Sequence, residues 1–327
     1  MLLTMQSIDN ILRVLDQADS RTVTVFGDYC LDKYLYIDPA RDEDSVETGL
    51  TAYQVDRKAL YPGASGTVTN NLRSLGVNVK CVGLVGNDGE GYDLLQCLEK
   101  IGADTQLMVQ SDTIPTNTYT KPMRKNADGT YTEMNRLDFR SFQETSKELE
   151  NRLIENLRQA LDESQGVVII EQYLQRNWAA VTDHLRDELS ALAQQYSEKF
   201  FLADSRGFAS CYRNVIVKCN QFELLGALEN LAASNRAVIV TTGAEGALVY
   251  EGGTTERIPA FPVEGPIDIV GAGDATNAGT MLGLTVGLTL PESVLLGGCV
   301  SSITIQQIGV TGTATIAQVR ARLLHGC

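Results

Sequence analysis

Strand-like and helical patterns alternate along almost the whole chain, and that alternation narrows the possible folds more than any other feature of the sequence. Apolar runs rich in β-branched residues, VTVFGD (23–28), KCVGLVG (80–86), GVVII (166–170), KFFLAD (199–204), VIVK (215–218) and AVIVTTG (237–243), each stop where a polar residue or glycine opens a loop. Helical patterns lie between them, among them an apolar stretch near 66–75 and DGEGYDLLQCLEKIG, with its stop at Gly102. Successive parallel strands need a crossover, most often a helix, so the rhythm predicts an α/β fold with a mostly parallel sheet. Ahead of the first strand, Ile8, Ile11, Leu12 and Leu15 share one helical face behind the candidate cap Ser7.

Ligands of an open α/β sheet lie beyond the carboxyl ends of its strands. Asp28, Asp204, Asn220 and Gly243 therefore become candidates to line one crevice. Two segments leave the rhythm, roughly 33–61 and 114–139, where TNTYTKPMRK and GTYTEMNRLDF alternate around the turn Asn126-Ala127-Asp128-Gly129. They are expected to form a small separate sheet, either a lid that keeps water from a reactive phosphate or a surface hairpin.

Overall charge and composition remove several function classes. A formal net charge of -14 with no basic run argues against a nucleic-acid partner. No apolar stretch has the roughly 18 residues that a membrane span needs. The first twenty residues lack the basic flank and cleavage pattern of a signal peptide, and seven scattered cysteines suit a reducing compartment, so a cytoplasmic location is expected. With only His184 and His325, a zinc site is not expected, and any metal must be held by oxygen.

The stretch with most chemical content is Asp268-Ile269-Val270-Gly271-Ala272-Gly273-Asp274-Ala275-Thr276-Asn277-Ala278-Gly279, followed by the apolar run MLGLTVGL. Glycines at the mouth of a helix let an anion approach the free N–H groups of the first turn and the positive end of the dipole. An aspartate beside transferring phosphate can accept the proton of an incoming alcohol. Taken alone, G-A-G-D reads equally well as a tight turn with a capping Asp.

It is accompanied by Asn220-Gln221-Phe222-Glu223 and Thr242-Gly243-Ala244-Glu245-Gly246, and at the start by GDYCLDKYLY. In order and spacing these motifs resemble those of the ribokinase-like (PfkB) carbohydrate kinases, which carry D-T-x-G-A-G-D, N-x-x-E, T-x-G-x-x-G and G-D-x-x-x-D, and the opening is most similar to that of heptose kinases. The resemblance spans nearly the whole chain. It implies one ribokinase-like domain across 1–327, a three-layer α/β/α sandwich with a β-sheet lid, using ATP and Mg2+ on a sugar or sugar phosphate.

By the same resemblance, Asp274 is the catalytic base, Gly271, Ala272 and Gly273 form the anion hole, and Asn220 and Glu223 organise hydrated Mg2+. Thr242, Gly243, Gly246 and Asn277 are expected at the nucleotide, and Asp268 at a possible K+ site. Asp28, Asp32, Gly63, Thr67 and Asn71 are expected at the sugar, and Lys121, Arg124 and Arg136 near a phosphate on the acceptor. The chain departs from the pattern at Ala64, Thr67, Ile269 and Glu171-Gln172, which leaves the acceptor open.

A lid sheet with exposed edges points to a homodimer. Two alternatives stand beside the kinase: a non-catalytic sugar or nucleotide binder, and a dinucleotide oxidoreductase, which lacks its G-x-G-x-x-G after the first strand.

Overall fold

Residues 5–224 and 226–325 are described in the structure, a computed structural model. The expected alternation is present. Helix α1 (Met5–Val14) leads into β1 (Thr22–Gly27), β2 (Tyr29–Ile37), the short pair β3 (Glu43–Asp44) and β4 (Thr51–Ala52), then β5 (Val55–Ala64), α2 (Ser65–Ser74), β6 (Asn78–Gly86), α3 (Gly89–Lys100) and β7 (Val109–Ser111). Next come β8 (Thr118–Lys125), β9 (Tyr131–Glu133), β10 (Leu137–Phe139), α4 (Lys147–Leu161), β11 (Gly166–Glu171), α5 (Asp183–Gln195), β12 (Phe200–Ser205), β13 (Ile216–Asn220) and α6 (Leu228–Ser234). The chain continues through β14 (Ala237–Thr241), β15 (Ala247–Glu251), β16 (Thr254–Ile258), α7 (Ala272–Thr285), α8 (Leu290–Thr304) and α9 (Ile316–His325). Ser7 lies inside α1 and does not cap it, because the helix already runs from Met5.

Nine strands form the main sheet in the order β16-β15-β14-β13-β12-β11-β1-β6-β7. It is parallel except at one edge, where β15 and β16 return antiparallel. Side-chain alternation divides the core cleanly. Val25, Val168, Ile170, Leu202 and Ile216 face the layer that holds α1, α2, α3, α7, α8 and α9, whereas Phe26, Val167, Ile169, Phe201 and Val217 face α4, α5 and α6. Strands covered on both faces read as unbroken apolar runs, and here β11 is buried along its whole length. The result is a three-layer α/β/α sandwich.

The small sheet has the order β10-β8-β2-β5, with β9 paired to β8. Its strands start earlier than 33 and end later than 61, because β2 turns off β1 directly after Asp28 and pairs Tyr29 with Ala64. Strand β5 then runs straight into α2 with no loop, which places the acceptor-side motif at the junction of the two sheets. No described helix is long and apolar enough to cross a membrane.

Candidate active site

Gly271, at φ +81°, turns the chain into α7, and a Cβ there would lie 2.6 Å from the Thr311 methyl group. Only glycine meets both demands. The turn sets Asp274 at the third helical position, half-buried at the carboxyl edge of the sheet. Its carboxylate accepts no hydrogen bond from the described residues. Burial, and then the negative charge of Asp204, push Asp274 up to about 7 against the pull of Lys218 and Arg206. A carboxylate with open lone pairs and a proton affinity near neutrality is suited to general-base work.

The amide cradle differs in one member from the expected Gly271–Gly273 set. The Ala272 N–H donates to the Ile269 carbonyl at 3.1 Å, so it closes the turn and does not face an anion. The N–H groups of Gly273 and Asp274 have no acceptor among the described residues, as the first turn of a helix leaves them. They form the opening toward which an anion would be drawn.

Behind this helix start lies a cluster that motif reading missed. Lys218, two residues before Asn220, is only 4% exposed and bonds Asp204 Oδ2 at 2.5 Å. Asn277, wholly buried and expected at the nucleotide, donates to the same oxygen at 2.6 Å and keeps its Oδ1 without a partner among the described residues. The available signal was an ionisable residue in an otherwise apolar buried strand, which demands a partner.

Asn220 and Glu223 close a reciprocal cap: Asn220 Oδ1 accepts from the amides of Phe222 and Glu223, and Glu223 Oε2 accepts from the Asn220 amide. The cap reading of the tetrapeptide is thus present, with the second Glu223 oxygen left over beside Lys218. Thr242, Gly243 and Gly246 form the tight β14–β15 connection, in which Thr242 donates twice to the Gly246 carbonyl. The Asp268 carboxylate takes the amides of Val270 and Gly309 and ties the loop before α7 to the loop after α8.

Asp28, expected at the sugar, is engaged by backbone amides. It is 2% exposed, and its oxygens accept from the amides of Gln172, Tyr173 and Ala180. It pins a distant loop. Glu171, where the pattern departs, belongs to the same buried region: it pairs with Arg186 and accepts from Ser205 and Tyr212.

Asn71 is likewise wholly buried, donating to the carbonyls of Thr67 and Gly312. The Thr67 hydroxyl donates to the Pro62 carbonyl at 3.4 Å while its methyl group faces Gly271.

Asp32 lies on β2 of the small sheet. It pairs with Lys121 at 2.8 Å, and the register of β2 and β8 places it beside Tyr119. Gly63 makes room for it, since a Cβ there would fall 2.6 Å from Asp32 Oδ2. Lys121 also donates to the Tyr34 hydroxyl. Arg136 clamps Asp138 through two hydrogen bonds and stacks over Tyr119, and Arg124 pairs with Asp42. Each expected lid cation therefore has an anionic partner already. Ala64 carries φ +52° and ψ −116°, a conformation suited to glycine, at the position where the resemblance has one.

Residues 28–317 match the pattern of the pfkB family carbohydrate kinases. The chain belongs to that family. Among curated proteins it is 27% identical over 324 residues to the bifunctional protein HldE of Bradyrhizobium diazoefficiens, covering 93% of this chain and 63% of that one. The corresponding figures for HldE of Hyphomonas neptunium are 28% over 331 residues, 95% and 65%. This pfkB-family chain thus spans less than two thirds of the length of those relatives. Among solved structures, phosphofructokinase-2 of Escherichia coli in its tetrameric inhibited form superposes with a TM-score of 0.69 at 19% identity, covering 93% of this chain and 99% of that one. Arabidopsis thaliana ribokinase complexed with ribose and ATP gives 0.65 at 15%, with 94% and 99% covered. These two share the fold.

Proposed function

We propose that this pfkB-family chain phosphorylates a hydroxyl of a sugar or sugar phosphate, with ATP as donor and Asp274 as base. One observation carries the reading: a carboxylate with no internal hydrogen bond, held up to about 7, stands at a helix start whose Gly273 and Asp274 amides are open. In this reading the acceptor hydroxyl lies between Asp274 and the bound phosphate. Asp274 accepts its proton as the oxygen attacks, and the two amides receive the developing charge on the migrating phosphoryl group. Asp32 and Lys121 orient the acceptor from the lid side, where a carboxylate can accept from two hydroxyls at once.

The donor set also fits Mg2+. No cluster of three or more His, Cys, Asp or Glu exists among the described residues, and Mg2+ is commonly held by one or two carboxylates with water and phosphate oxygens. Glu223, with one oxygen outside the reciprocal cap, would hold the hydrated ion, Asn220 would fix that carboxylate through the cap, and the ion would neutralise phosphate charge. ATP as donor is supported by the Arabidopsis thaliana ribokinase, which shares the fold and is complexed with ribose and ATP.

The test is ADP release over a panel of free and phosphorylated sugars. Acceptor-dependent release is expected, and Asp274→Asn should lose on the order of 10²–10⁴ in turnover while retaining nucleotide binding by calorimetry. Equal turnover in the variant would remove Asp274 from the role. Retained affinity without transfer to any sugar would favour the non-catalytic binder.

A further inference from the structure

The cluster beneath the start of α7 has a geometry that a simple structural ion pair does not require. Strands β12 and β13 place Asp204 and Lys218 side by side in register. Both project from the sheet face that carries α7, since Leu202 and Ile216 in the same phase lie in that core layer. Lys218 Nζ would stand 3.4 Å from a Cβ added to Gly273. Glycine at 273 therefore leaves no side chain between the ammonium and the open amides.

Charge makes the placement informative. Asp274 is acted on by Asp204 and Asp32, both negative, and by Lys218 and Arg206, both positive. Lys218 itself is faced by Asp204, Asp274 and Glu223, with the Cys219 thiol next in the chain. Carboxylates outnumber cations here, so a polyanion such as a nucleotide phosphate meets net repulsion except where positive charge is concentrated. Arg206 is exposed, whereas Lys218 is fixed and shielded from solvent, where a charge acts most strongly.

Asn277 supplies a second observation. Its Nδ2 is spent on Asp204, and its Oδ1 is left buried without a hydrogen bond. An unpartnered buried carbonyl is destabilising. That expense is retained in an arrangement whose effect is to hold Asp204 against Lys218.

Resting on the phosphotransfer reading above, we propose that Lys218 is a positioning residue: clamped by Asp204 and Asn277 beneath the first turn of α7, its ammonium supplies the fixed positive charge against which the Gly273 and Asp274 amides hold the migrating phosphoryl group. Its contribution grows as charge builds in the transition state, so its loss lowers turnover more than it weakens binding.

The experiment compares wild type, Lys218→Met and the charge-balanced double variant Lys218→Met/Asp204→Asn. Lys218→Met should lose about 100-fold in kcat, with acceptor KM within about threefold and ATP KM rising less than kcat falls. It should also melt lower, because Asp204 is left without its cation. The double variant should recover most of the melting temperature and none of the turnover. Recovery of kcat to within about threefold of wild type would show that the ammonium only satisfies Asp204 and would overturn the proposal. A rise in ATP KM with kcat kept in Lys218→Met would overturn it as well. Wild type without acceptor-dependent ADP release strikes the phosphotransfer reading itself, whereas an active wild type beside an active double variant strikes the Lys218 role alone.

Discussion

Asp28 and Asp274 both stand at the carboxyl edge of the main sheet, both follow a glycine, and burial raises both, to about 6 and about 7 respectively. Their surroundings are opposite. Asp28 accepts from three backbone amides and fastens the 172–180 loop to the junction of β1 and β2. Asp274 has no hydrogen-bond donor among the described residues and is surrounded by charges that act on it through space. A carboxylate used for architecture is distinguished from one available for chemistry by what occupies its lone pairs, not by its burial or motif.

The contrast extends to the regions around them. The start of α7 offers backbone amides backed by a buried ion pair, whereas the small sheet offers side chains already engaged with each other, Asp32 with Lys121 and Arg136 with Asp138.

The largest expected effect sharpens the contrast through pH. If Asp274 must be ionised, kcat/KM falls about tenfold per pH unit below about 7, hence roughly 100-fold between pH 7 and pH 5, and is level above. A profile flat across that window would mean that Asp274 is not the titrating base.

A smaller effect separates the two acceptor-side aspartates. Asp28→Asn introduces a donor among three N–H groups and should lower stability by about 1–3 kcal/mol in denaturant titration, with acceptor KM in the folded enzyme little changed. Asp32→Asn should do the reverse, raising acceptor KM about tenfold with a smaller loss of stability, because the side-chain amide oxygen still offers Lys121 an acceptor. An exchange of these outcomes would return Asp28 to the sugar.

The smallest effect concerns the backbone between the regions. Ala64→Gly should relieve the positive φ at the β5–α2 junction and raise stability on the order of 1 kcal/mol, net of the entropy glycine adds to the unfolded chain. A drop in melting temperature would show that the Ala64 methyl group contributes more by packing than its conformation costs.

Much of the architecture was legible because it is local. Apolar period, caps and glycine stops mark where each strand ends and each helix begins, and the ordered motifs place Asp274 at a helix start. The Asn220-Glu223 tetrapeptide was legible only to the level of two readings, since a reciprocal cap and a metal-organising pair use the same residues. Lys218 was passed over because a strand pattern ending in lysine gives no hint of which face the ammonium takes.

By itself, the sequence determined the alternating α/β order, the division into a main sheet and a lid, and the helix start at Gly271-Ala272-Gly273, because backbone preference and hydrophobic period are properties of neighbouring residues. Only the tertiary structure decided that Asp28 is spent on amides, that Asn277 serves Asp204, and that Lys218 lies under the open amides. Those outcomes depend on partners far away along the chain, 144 residues in the case of Asp28 and Gln172, and packing alone brings such groups within hydrogen-bond reach.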